Sequence, residues 1–560
     1  MNGSMNATLR HSFRPDLQGR VRLSYLYEQR TTEAQSASGN TLAVKGVTSL
    51  VNTLQSSRNT TSSLEDVRQI GLLAGATVEY KDRYVFESLV RRDGSSLFGA
   101  ANRWGTFGRV SGSWRMAREP WWFIPQIDEF KLRASYGTAG RTPSFAAQYE
   151  TFQITAGSVL QPGTLGNKNL QPELSKELEL GADIEMLNRY GLQLTFARAN
   201  IERQILPAPV PAAAAFASQW QNAGALRNTT WEASLNVPLI QRRDLSWSVR
   251  FIYDRTRSYI SRLDIPLFYF GTGLQGTGTM FLARTGERVG TFYGHYFLRR
   301  CSDLPAPFSA DCGFAGASYQ RNDEGFIVWV GPGNSPGDGI TKNLWETQLY
   351  NPTGNTALSP WGVSLNWGMP ILLRGNDKAP ALAALGNSSP SFHFAVSQDF
   401  TWHRFSAYAS VDASIGQSVW NQGFHWAHLD FLSKDVDQVG KSVETAKPIG
   451  YYWRTSPADG FSGTGGFYDQ LLPNNETVED ASFAKLRELI VSYRVGPING
   501  VGDWDVSFIG RNLFTITGYR GFDPEVGIAG GDAGSAAVNA VDAFTFPNLR
   551  TFSFAVSTKF

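Results

Sequence analysis

The stretch Thr551-Phe-Ser-Phe-Ala-Val-Ser-Thr-Lys-Phe560 closes the chain, and its pattern predicts the fold. Most of its even positions, including Phe552 and Phe554, are apolar, most of its odd positions are polar, and its last residue is aromatic. Because successive side chains of a strand point to opposite faces, this alternation indicates a β-strand with one apolar and one polar face. A soluble β-sandwich also shows such alternation, so a single strand does not decide between a sandwich and a membrane barrel.

The same alternation recurs along the whole chain in segments of about ten residues, the length that a tilted strand needs to cross a bilayer. Trp247 and Phe251, for example, alternate with Ser248 and Arg250. A further strand is possible at 287–299. The pattern predicts strands at 5–12, 18–30, 67–80, 83–94, 104–117, 128–138, 174–186, 189–202, 229–240, 244–256, 388–400, 403–415, 482–495, 502–514 and 547–560.

The connections between these strands are of two kinds. From strand 128–138 onward, long and short connections alternate, as in a transmembrane barrel with short periplasmic turns and long extracellular loops. This order places Phe560 at the periplasmic rim. Loops of such length are uncommon unless they are functional, so we expect ligand recognition in them. Short turns are predicted at Lys81–Asp82, Leu187–Asn188, Arg242–Arg243, Thr401–Trp402 and 496–501, and long loops near 139–173, 203–228, 257–387, 416–481 and 515–546.

The composition excludes several classes of protein. The 560 residues are 42% hydrophobic, 13% aromatic and 18% charged, which is typical of a folded, aromatic-rich β protein. The net charge of +2 has interspersed signs and argues against a nucleic-acid partner. The sequence contains no run of 18 or more apolar residues, so it predicts no membrane-spanning helix. The first residues lack the pattern of a signal peptide, so we expect that the chain lacks its true beginning.

The two cysteines, Cys301 and Cys312, lie in one polar stretch rich in proline and glycine. This spacing favours a local disulfide formed in an oxidising compartment. Two unpaired thiols are the alternative, and no histidine lies at a spacing useful for a metal site.

Aromatic residues are abundant in the predicted long loops. Their flat faces suit the C–H surfaces of sugar rings, while neighbouring polar groups bind hydroxyls. The alternative is that these rings pack within the loops or form a girdle at the membrane interface. The candidate substrate-binding residues are Trp220, Trp329, Trp345, Trp420, Trp426, Tyr452 and Trp453.

Several stretches, in order, resemble the C-terminal part of the SusC/RagA-type TonB-dependent outer-membrane receptors. The resemblance covers about positions 66–560 and is least clear at 257–387 and 416–480. The stretches are Arg91-Arg-Asp-Gly-Ser-Ser with Asn102-Arg-Trp-Gly, Leu132-Arg-Ala-Ser-Tyr-Gly-Thr-Ala-Gly140, Asn169-Leu-Gln-Pro-Glu-Leu, Gln219-Trp-Gln-Asn-Ala-Gly-Ala-Leu-Arg-Asn228, Phe483-Ala-Lys-Leu-Arg-Glu-Leu, and Gly510-Arg-Asn-Leu-Phe with Gly518-Tyr-Arg-Gly-Phe-Asp-Pro-Glu525.

The resemblance implies an all-β, antiparallel transmembrane barrel of 22 strands with an N-terminal plug. It also implies a place in the outer membrane of a Gram-negative bacterium, with a SusD-like surface lipoprotein, the TonB complex, the barrel-assembly machinery acting on the C-terminal strand, and the lipid bilayer as partners. From the resemblance we expect the plug, the TonB-contacting segment and the first strands to lie outside this sequence. We therefore expect residues 1–560 to be the C-terminal part of such a barrel.

The motifs themselves predict structural roles. Adjacent residues of a strand point to opposite faces, so one of Arg511 and Asn512 is expected in the lumen, with a structural hydrogen-bonding role favoured for both. Asp523 and Glu525 are expected to fix a loop, and cation ligation by their carboxylates is the alternative. No cofactor or metal is expected, although calcium in the loops stays possible. The sequence shows no catalytic constellation and predicts no enzyme.

The predicted function is TonB-dependent uptake of a nutrient, an oligosaccharide or a peptide. One alternative is a structural or adhesive outer-membrane barrel that transports nothing. Another is a soluble glycan-binding β protein.

Overall fold

The structure of the protein is a computed structural model. It describes residues 1–155, 159–216, 218–271, 280–337, 359–363, 365, 368–430, 432–442, 446, 473–498, 501–525, 528–529 and 539–559. The chain divides into two compact units. Unit 1 contains Met1–Trp231 with Ser261–Ile265, and unit 2 contains Glu232–Ile260 with Pro266–Phe560.

Fifteen long strands follow one another along the chain, and each of them coincides with one predicted strand, which confirms those predictions. The strands are Asn2–Arg14 (β1), Leu17–Ser38 (β2), Asn59–Tyr80 (β3), Tyr84–Ser95 (β4), Trp104–Arg115 (β5), Ile127–Arg141 (β6), Glu173–Met186 (β7), Tyr190–Pro209 (β8), Ser218–Gln241 (β9), Leu245–Leu263 (β10), Phe392–Trp402 (β11), Phe405–Ile415 (β12), Phe483–Ile498 (β13), Val501–Thr517 (β14) and Thr551–Lys559 (β15).

In unit 1, strands β1 to β8 pair antiparallel in chain order. The register gives the sheet two unlike faces. Leu23 pairs with Ala74 on one face, whereas Arg20 pairs with Thr77, and Thr77 with Glu87, on the other. The Leu23 side chain is 55% exposed to solvent, which is costly in water but suits contact with lipid.

In unit 2, strands β10 to β15 also form an antiparallel meander in chain order. Most of the large buried side chains of this unit lie in the connections, whereas Phe483 and Lys485 lie in strand β13. Met280, Phe281, Phe292, Trp420 and Val541 form one such cluster. The long connections of unit 2 are therefore packed structures with hydrophobic cores of their own.

Short elements occupy the connections. Among the residues that the structure describes, the α-helix Gln422–Leu429 (α1) begins after the N-cap Asn421, whose side chain accepts a hydrogen bond from the Phe424 backbone N–H at 2.9 Å. Within the described ranges, no helix combines the length and the hydropathy that crossing a bilayer requires. The short strands are Phe152–Thr155, Val159–Pro162, Thr164–Leu165, Phe268–Phe270, Phe281–Ala283, Thr291–His295, Tyr319–Arg321, Ile327–Trp329, Leu382–Asn387, Ser418–Trp420, Val478–Asp480, Ile528–Ala529 and Asn539–Val541, and the 3₁₀ turns are Leu50–Asn52, Gln55–Ser57, Ala100–Asn102, Met116–Arg118, Phe145–Gln148, Ala212–Ala214, Cys301–Asp303, Phe308–Ala310, Pro360–Gly362 and Lys434–Val436.

Three sequence predictions about connections need correction. The predicted loop 203–228 is mostly strand, because β8 and β9 extend through it by backbone pairing, which needs no alternation of side chains. The turn predicted at Thr401–Trp402 lies at 403–404, since Trp402 still pairs with Phe405. Within the predicted strand 287–299, the structure forms only Thr291–His295, which pairs with Leu382–Asn387 in a separate sheet.

The sequence motifs of unit 1 meet through polar side chains. The Asn222 amide accepts a hydrogen bond from the Gln171 backbone N–H and donates one to the Gln171 carbonyl, each at 2.9 Å, and it donates another to the Arg203 carbonyl at 2.8 Å. The Glu173 carboxylate is buried and accepts a bond from the Ile205 N–H at 2.9 Å. These stretches of sequence therefore join β9 to the segment that precedes β7.

A row of aromatic rings follows the turns at one end of strands β3 to β6. Neighbouring rings lie 5.8 to 6.4 Å apart between centroids, and Glu119 accepts a hydrogen bond from the Trp114 Nε1–H at 3.0 Å. Amphipathic aromatic rings are typical of the membrane–water interface, so this row marks the short-turn boundary of the apolar band. Its members are Tyr80, Tyr84, Trp114, Trp121, Trp122 and Phe130.

The turn between β3 and β4 gives a first testable prediction. Lys81 and Asp82 both have φ of 53°, a left-handed conformation that costs an L-residue roughly 1–2 kcal/mol. Replacing this pair with Asn-Gly, which prefers such turns, should raise the free energy of unfolding by about 1 kcal/mol in urea titrations of the receptor in lipid vesicles.

The matched control is an Asn-Gly substitution at Arg242–Arg243, where no residue has a positive φ. We expect no gain there. Equal gains at both turns would contradict the explanation from backbone strain.

Candidate functional site

A buried ion cluster fixes the segment 518–525 against the start of β13. The Lys485 ammonium donates hydrogen bonds to Asp523 Oδ1 at 2.5 Å and to Glu525 Oε2 at 3.0 Å. The side chains of Lys485 and Asp523 are only 2% and 6% exposed. A charge at such depth is stable only when it is paired, so the position of this segment depends on the cluster.

Arg487 extends the cluster to β12. Its guanidinium forms two-pronged contacts with the carboxylates of Asp412 and Glu525, the geometry in which arginine binds carboxylates most strongly. The Phe483 ring lies 5.1 Å from the Lys485 ammonium and 5.6 Å from the Arg487 guanidinium, both measured to the ring centroid. Two strands and one loop are thereby held by a single network of charges.

The loop carboxylates of this network have shifted pKa values. Burial raises the pKa of Asp523, but the hydrogen bond and the charge of Lys485, together with hydrogen bonds from the Glu525 and Asn548 backbone N–H groups, outweigh burial, so the pKa of Asp523 is lowered. Burial also raises the pKa of Glu525. The hydrogen bonds and charges of Arg487 and Lys485 together outweigh burial, so the pKa of Glu525 is lowered as well. Both groups are therefore held as carboxylates.

A β-bulge accompanies this cluster in the neighbouring strand. The β13–β14 register shifts between Leu486 and Glu488: Glu488 pairs with Arg511, and the next two residues of β14, Asn512 and Leu513, lie opposite Arg487 alone. The Arg511 guanidinium contacts the Glu488 carboxylate at 2.9 Å. Asn512 has φ of 51°, and its amide donates to the Leu549 carbonyl at 3.2 Å. Simple alternation of faces does not hold at this pair, because the bulge inserts an extra residue.

The anchored segment presents Arg520 to the adjoining loops. The Arg520 guanidinium lies 2.8 Å from Glu476 Oε1 and 3.2 Å from Glu479 Oε1, and its plane covers the Phe424 ring of α1 at 3.9 Å. On the other side of the segment, the buried Tyr519 hydroxyl donates to Asp542 Oδ2 at 2.8 Å. Arg520 is thus held in one orientation.

Arg299 approaches the same carboxylate from the connection between β10 and β11. Its Nη2 lies 2.7 Å from Glu476 Oε2, and the guanidinium stacks on Phe326 at 4.4 Å from the ring centroid. The Asn475 amide holds the two segments together, since it accepts from the Phe297 N–H at 2.9 Å and donates to the Phe297 carbonyl at 2.8 Å.

A depression of about 350 Å³ opens between these groups, and we name it the loop pocket. Arg299 is 33% and Arg520 is 40% exposed, and the Nε and Nη1 donors of Arg299 bind no partner among the described residues. The pocket therefore offers cationic donors beside carboxylate acceptors. It is lined by Arg299, Asn475, Glu476, Val478, Glu479, Asp480, Ser482, Gly518 and Arg520.

Of the tryptophans predicted to contact substrate, the four that the structure describes do not line this pocket. Trp420 is fully buried in a loop core, so its ring has no face for a ligand, and that prediction is wrong. Trp220 packs against Phe98 and Leu170 in unit 1. Trp329 packs in hydrophobic clusters of unit 2, and Trp426 lies 6.2 Å from the Phe544 ring. Aromatic composition alone did not distinguish packing from exposure.

Other predicted residues have mixed outcomes. Cys301 and Cys312 form a disulfide with a Cα–Cα distance of 5.6 Å. Asp523 and Glu525 bind Lys485 and Arg487, so their carboxylates contact side-chain cations. Among the described residues, no group of three or more His, Cys, Asp or Glu side chains is arranged to hold a metal ion. Trp345, Tyr452, Trp453 and Phe560 lie outside the described residues.

The pocket residues themselves were missed from the sequence. Arg520 lies inside a motif that was singled out, between Gly518 and Asp523, but its role depends on Glu476 and Glu479, more than forty positions away. A sequence signal existed only for the ion cluster, since Lys485 and Arg487 lie in one motif and Asp523 and Glu525 lie in another.

Comparison with known proteins identifies the class. The family model for the β-barrel of TonB dependent receptor-like proteins matches residues 2–416. The match covers more than half of the chain. The chain therefore belongs to this family, whose members are outer-membrane receptors and transporters rather than enzymes.

Two curated relatives support this assignment. TonB-dependent receptor P3 of Formosa agariphila is 25% identical over 524 residues, which are 89% of this chain and 46% of the relative. TonB-dependent receptor SusC of Bacteroides thetaiotaomicron is 27% identical over 512 residues, covering 86% of this chain and 42% of SusC. The resemblance to SusC/RagA-type receptors is confirmed, and the chain spans about half the length of the curated relatives it matches.

Solved structures agree on the fold. The RagAB peptide transporter superposes with a TM-score of 0.67 at 17% identity, covering 99% of this chain and 54% of that chain. The RagAB peptide importer in its open-open state gives 0.67 at 18% identity, covering 100% of this chain and 54% of that chain. The predicted antiparallel transmembrane barrel, of which this chain is a part, is confirmed.

Removal of the buried cation should be costly. Lys485→Met leaves Asp523 buried without its partner, and we expect the free energy of unfolding to fall by roughly 3–5 kcal/mol. Hydrogen exchange should also accelerate at 518–525. Arg494→Met on the same strand is the control, since the Arg494–Asp505 pair is exposed and 3.5 Å apart, and should cost at most about 1 kcal/mol. Equal losses would contradict a special role for Lys485.

The same cluster should respond to acid. Because the pKa values of Asp523 and Glu525 are lower in the folded than in the unfolded chain, their stabilisation is complete above the unfolded carboxyl range near 4 and is lost as the pH falls through the folded values. Protection of the 518–525 amides from hydrogen exchange, relative to the intrinsic exchange rate at each pH, should therefore fall below about pH 4. In Lys485→Met this acid-dependent change should be much smaller.

Proposed function

We propose that the receptor containing this chain takes up a peptide across the outer membrane of a Gram-negative bacterium, in a TonB-dependent manner. In this proposal the loop pocket is a substrate contact, and a SusD-like surface lipoprotein is the partner that covers it. The observation on which the proposal depends is the loop pocket, where the long connections bring arginine donors and carboxylate acceptors together in one depression.

The chemistry of the loop pocket favours a peptide over a neutral oligosaccharide. A peptide carries carbonyl oxygens and a terminal carboxylate for Arg299 and Arg520, and N–H groups for Asp480 and Glu476. Charge-assisted hydrogen bonds of this kind are roughly twice as strong as neutral ones. Sugar recognition by aromatic stacking would need exposed rings, and no tryptophan is among the lining residues that the structure describes.

The comparisons support the same class of substrate without deciding it. The structures with the same fold are named as a peptide transporter and a peptide importer, and SusC is named as a TonB-dependent receptor. An oligosaccharide is the second candidate, and it would require contacts from other loop residues such as Trp345, Tyr452 and Trp453.

Uptake by variant cells tests the proposal. Arg299→Gln removes the two free donors of the pocket, and we expect uptake of a labelled peptide mixture to fall at least about tenfold, the effect of losing roughly 1.4 kcal/mol of binding. Arg494→Gln, on β13 and outside the pocket, should leave uptake unchanged. The uptake of each variant is divided by the amount of receptor in its outer-membrane fraction.

The competing hypotheses make different predictions for this experiment. If Arg299→Gln reduces the uptake of a labelled oligosaccharide and leaves peptide uptake unchanged, the substrate is an oligosaccharide and not a peptide. If neither class of substrate enters wild-type cells through the receptor, the proposal of transport fails and the structural or adhesive barrel takes its place.

A further inference from the structure

The apolar face of β10 changes character at its outer end. Trp247, Phe251 and Tyr253 lie on this face, and Phe251 pairs with Val396 while Tyr253 pairs with Phe394. The Phe251 and Phe394 rings lie 6.3 Å apart, and both are exposed by more than a third. The next two positions on the same face are Arg255 and Arg257. Arginine replaces the aromatic residues where the strand continues toward the long connection.

Arg288 joins the same face from the following connection. Residues Tyr259 and Arg288 form an antiparallel bridge, in which the Ile260 N–H donates to the Glu287 carbonyl and the Val289 N–H donates to the Ser258 carbonyl, both at 2.9 Å. Directly opposite residues of an antiparallel pair project to the same side. Arg255, Arg257 and Arg288 therefore share one face with Tyr259.

These three guanidinium groups have no acidic counterion. Among the residues that the structure describes, no carboxylate lies within 4.0 Å of any of them. The Nε groups of Arg257 and Arg288 are buried and donate to no acceptor. Glu287, the adjacent acid, is occupied by Arg284 at 2.7 Å and by the Tyr293 hydroxyl at 2.8 Å. A group of like charges without compensation is costly unless an anion joins it.

The arrangement is fixed before any anion binds. The Arg288 Nη2 donates to the Ser389 carbonyl at 2.9 Å and to the Pro390 carbonyl at 3.1 Å. Burial lowers the pKa of Arg288, and the charges of Arg257 and Arg255 lower it further. The protein thus holds a partly buried guanidinium next to two others.

The height of the cluster fits the outer boundary of the membrane. Arg255 lies about ten residues after Leu245, which is at the short turn. This separation corresponds to about 33 Å along the strand, or about 25 Å along the membrane normal for a strand tilted by about 40°. The apolar band of such barrels is about 25 Å tall. Arg255 therefore lies at its outer edge, and Arg257 and Arg288 lie at the level of the lipid headgroups.

We propose that Arg255, Arg257 and Arg288, with Tyr259 beside them, bind the phosphate groups of an anionic lipid of the outer leaflet. The inference rests on the outer-membrane placement in the proposed function. The planar fork of arginine matches phosphate oxygens, and basic clusters beside membrane-spanning segments bind anionic headgroups. The position on the lipid-facing side, above the aromatic rings, favours a lipid over a soluble anion, which would bind in the loops or the lumen.

Native mass spectrometry of the intact purified receptor tests the site. The probes are diphosphorylated lipid A, monophosphorylated lipid A, phosphatidylcholine and inorganic phosphate. Wild-type receptor should retain the diphosphorylated lipid best. Arg255→Gln/Arg257→Gln/Arg288→Gln should retain it at least about tenfold less, since charge-assisted bonds are lost. Arg242→Gln/Arg243→Gln/Arg250→Gln, with three arginines from the short-turn end and the polar face, should match the wild type.

A second variant protects the test against misfolding. Arg255→Gln/Arg257→Gln leaves the Arg288 bonds to the loop intact and should still weaken lipid retention by about threefold or more. Equal retention by the wild type and both arginine variants would overturn the proposal. So would displacement of the lipid by inorganic phosphate at an equal concentration, because the ligand would then be a soluble anion.

The outcome is independent of substrate uptake. Lipid retention is measured without peptide, and Arg299 is not part of the arginine cluster. Loss of uptake in Arg299→Gln together with unchanged lipid binding supports both proposals. Normal peptide uptake in Arg299→Gln would refute the proposal that the loop pocket binds peptide. If lipid retention still depends on the arginine cluster, the proposed lipid site stands.

Discussion

The pairing of every backbone N–H and C=O group inside the bilayer is the constraint on which this structure depends. Hydrocarbon offers no hydrogen-bonding partner, so a strand can cross it only between two paired neighbours. The inner strands of units 1 and 2 meet this condition in chain order, whereas β1 and β15 each pair with one neighbour among the described residues. The pleat of each strand then directs successive side chains to opposite faces, of which one contacts lipid and the other contacts water. Exposed Leu23 and paired Arg20 and Glu87 are two results of the same geometry.

The connections outside the bilayer follow different physical rules. They lie in water, so they fold only if they bury apolar side chains, and the clusters around Phe292 and Trp420 do so. Their precise positions depend on charge pairs with little exposure. Lys485 and Arg487 bind Asp523 and Glu525, and this holds the segment that carries Arg520. Replacing one buried partner leaves a charge that water cannot reach, which explains why such a cluster specifies a single arrangement.

Along β10 the two environments meet on one strand face. Aromatic side chains occupy the positions within the apolar band, and Arg255 and Arg257 follow where headgroup phosphates replace acyl chains. The same β-strand alternation governs both sets, and only the depth in the membrane changes which residue type is stable. In the two proposals the loop pocket and the arginine cluster use the same chemistry, guanidinium donors facing anions, for two different ligands.

The sequence by itself determined the strands, the order of the meander and the family, because alternation with period two is a local property of the chain and each predicted strand needed only its own residues. It also located Lys485, Arg487, Asp523 and Glu525 in motifs, without their pairing. Only the tertiary structure decided that Trp420 is buried, that β8 and β9 extend through a predicted loop, and that Arg299, Glu476 and Arg520 share a pocket. Burial and contact between distant segments depend on three-dimensional packing, and a pattern of neighbouring residues does not encode them.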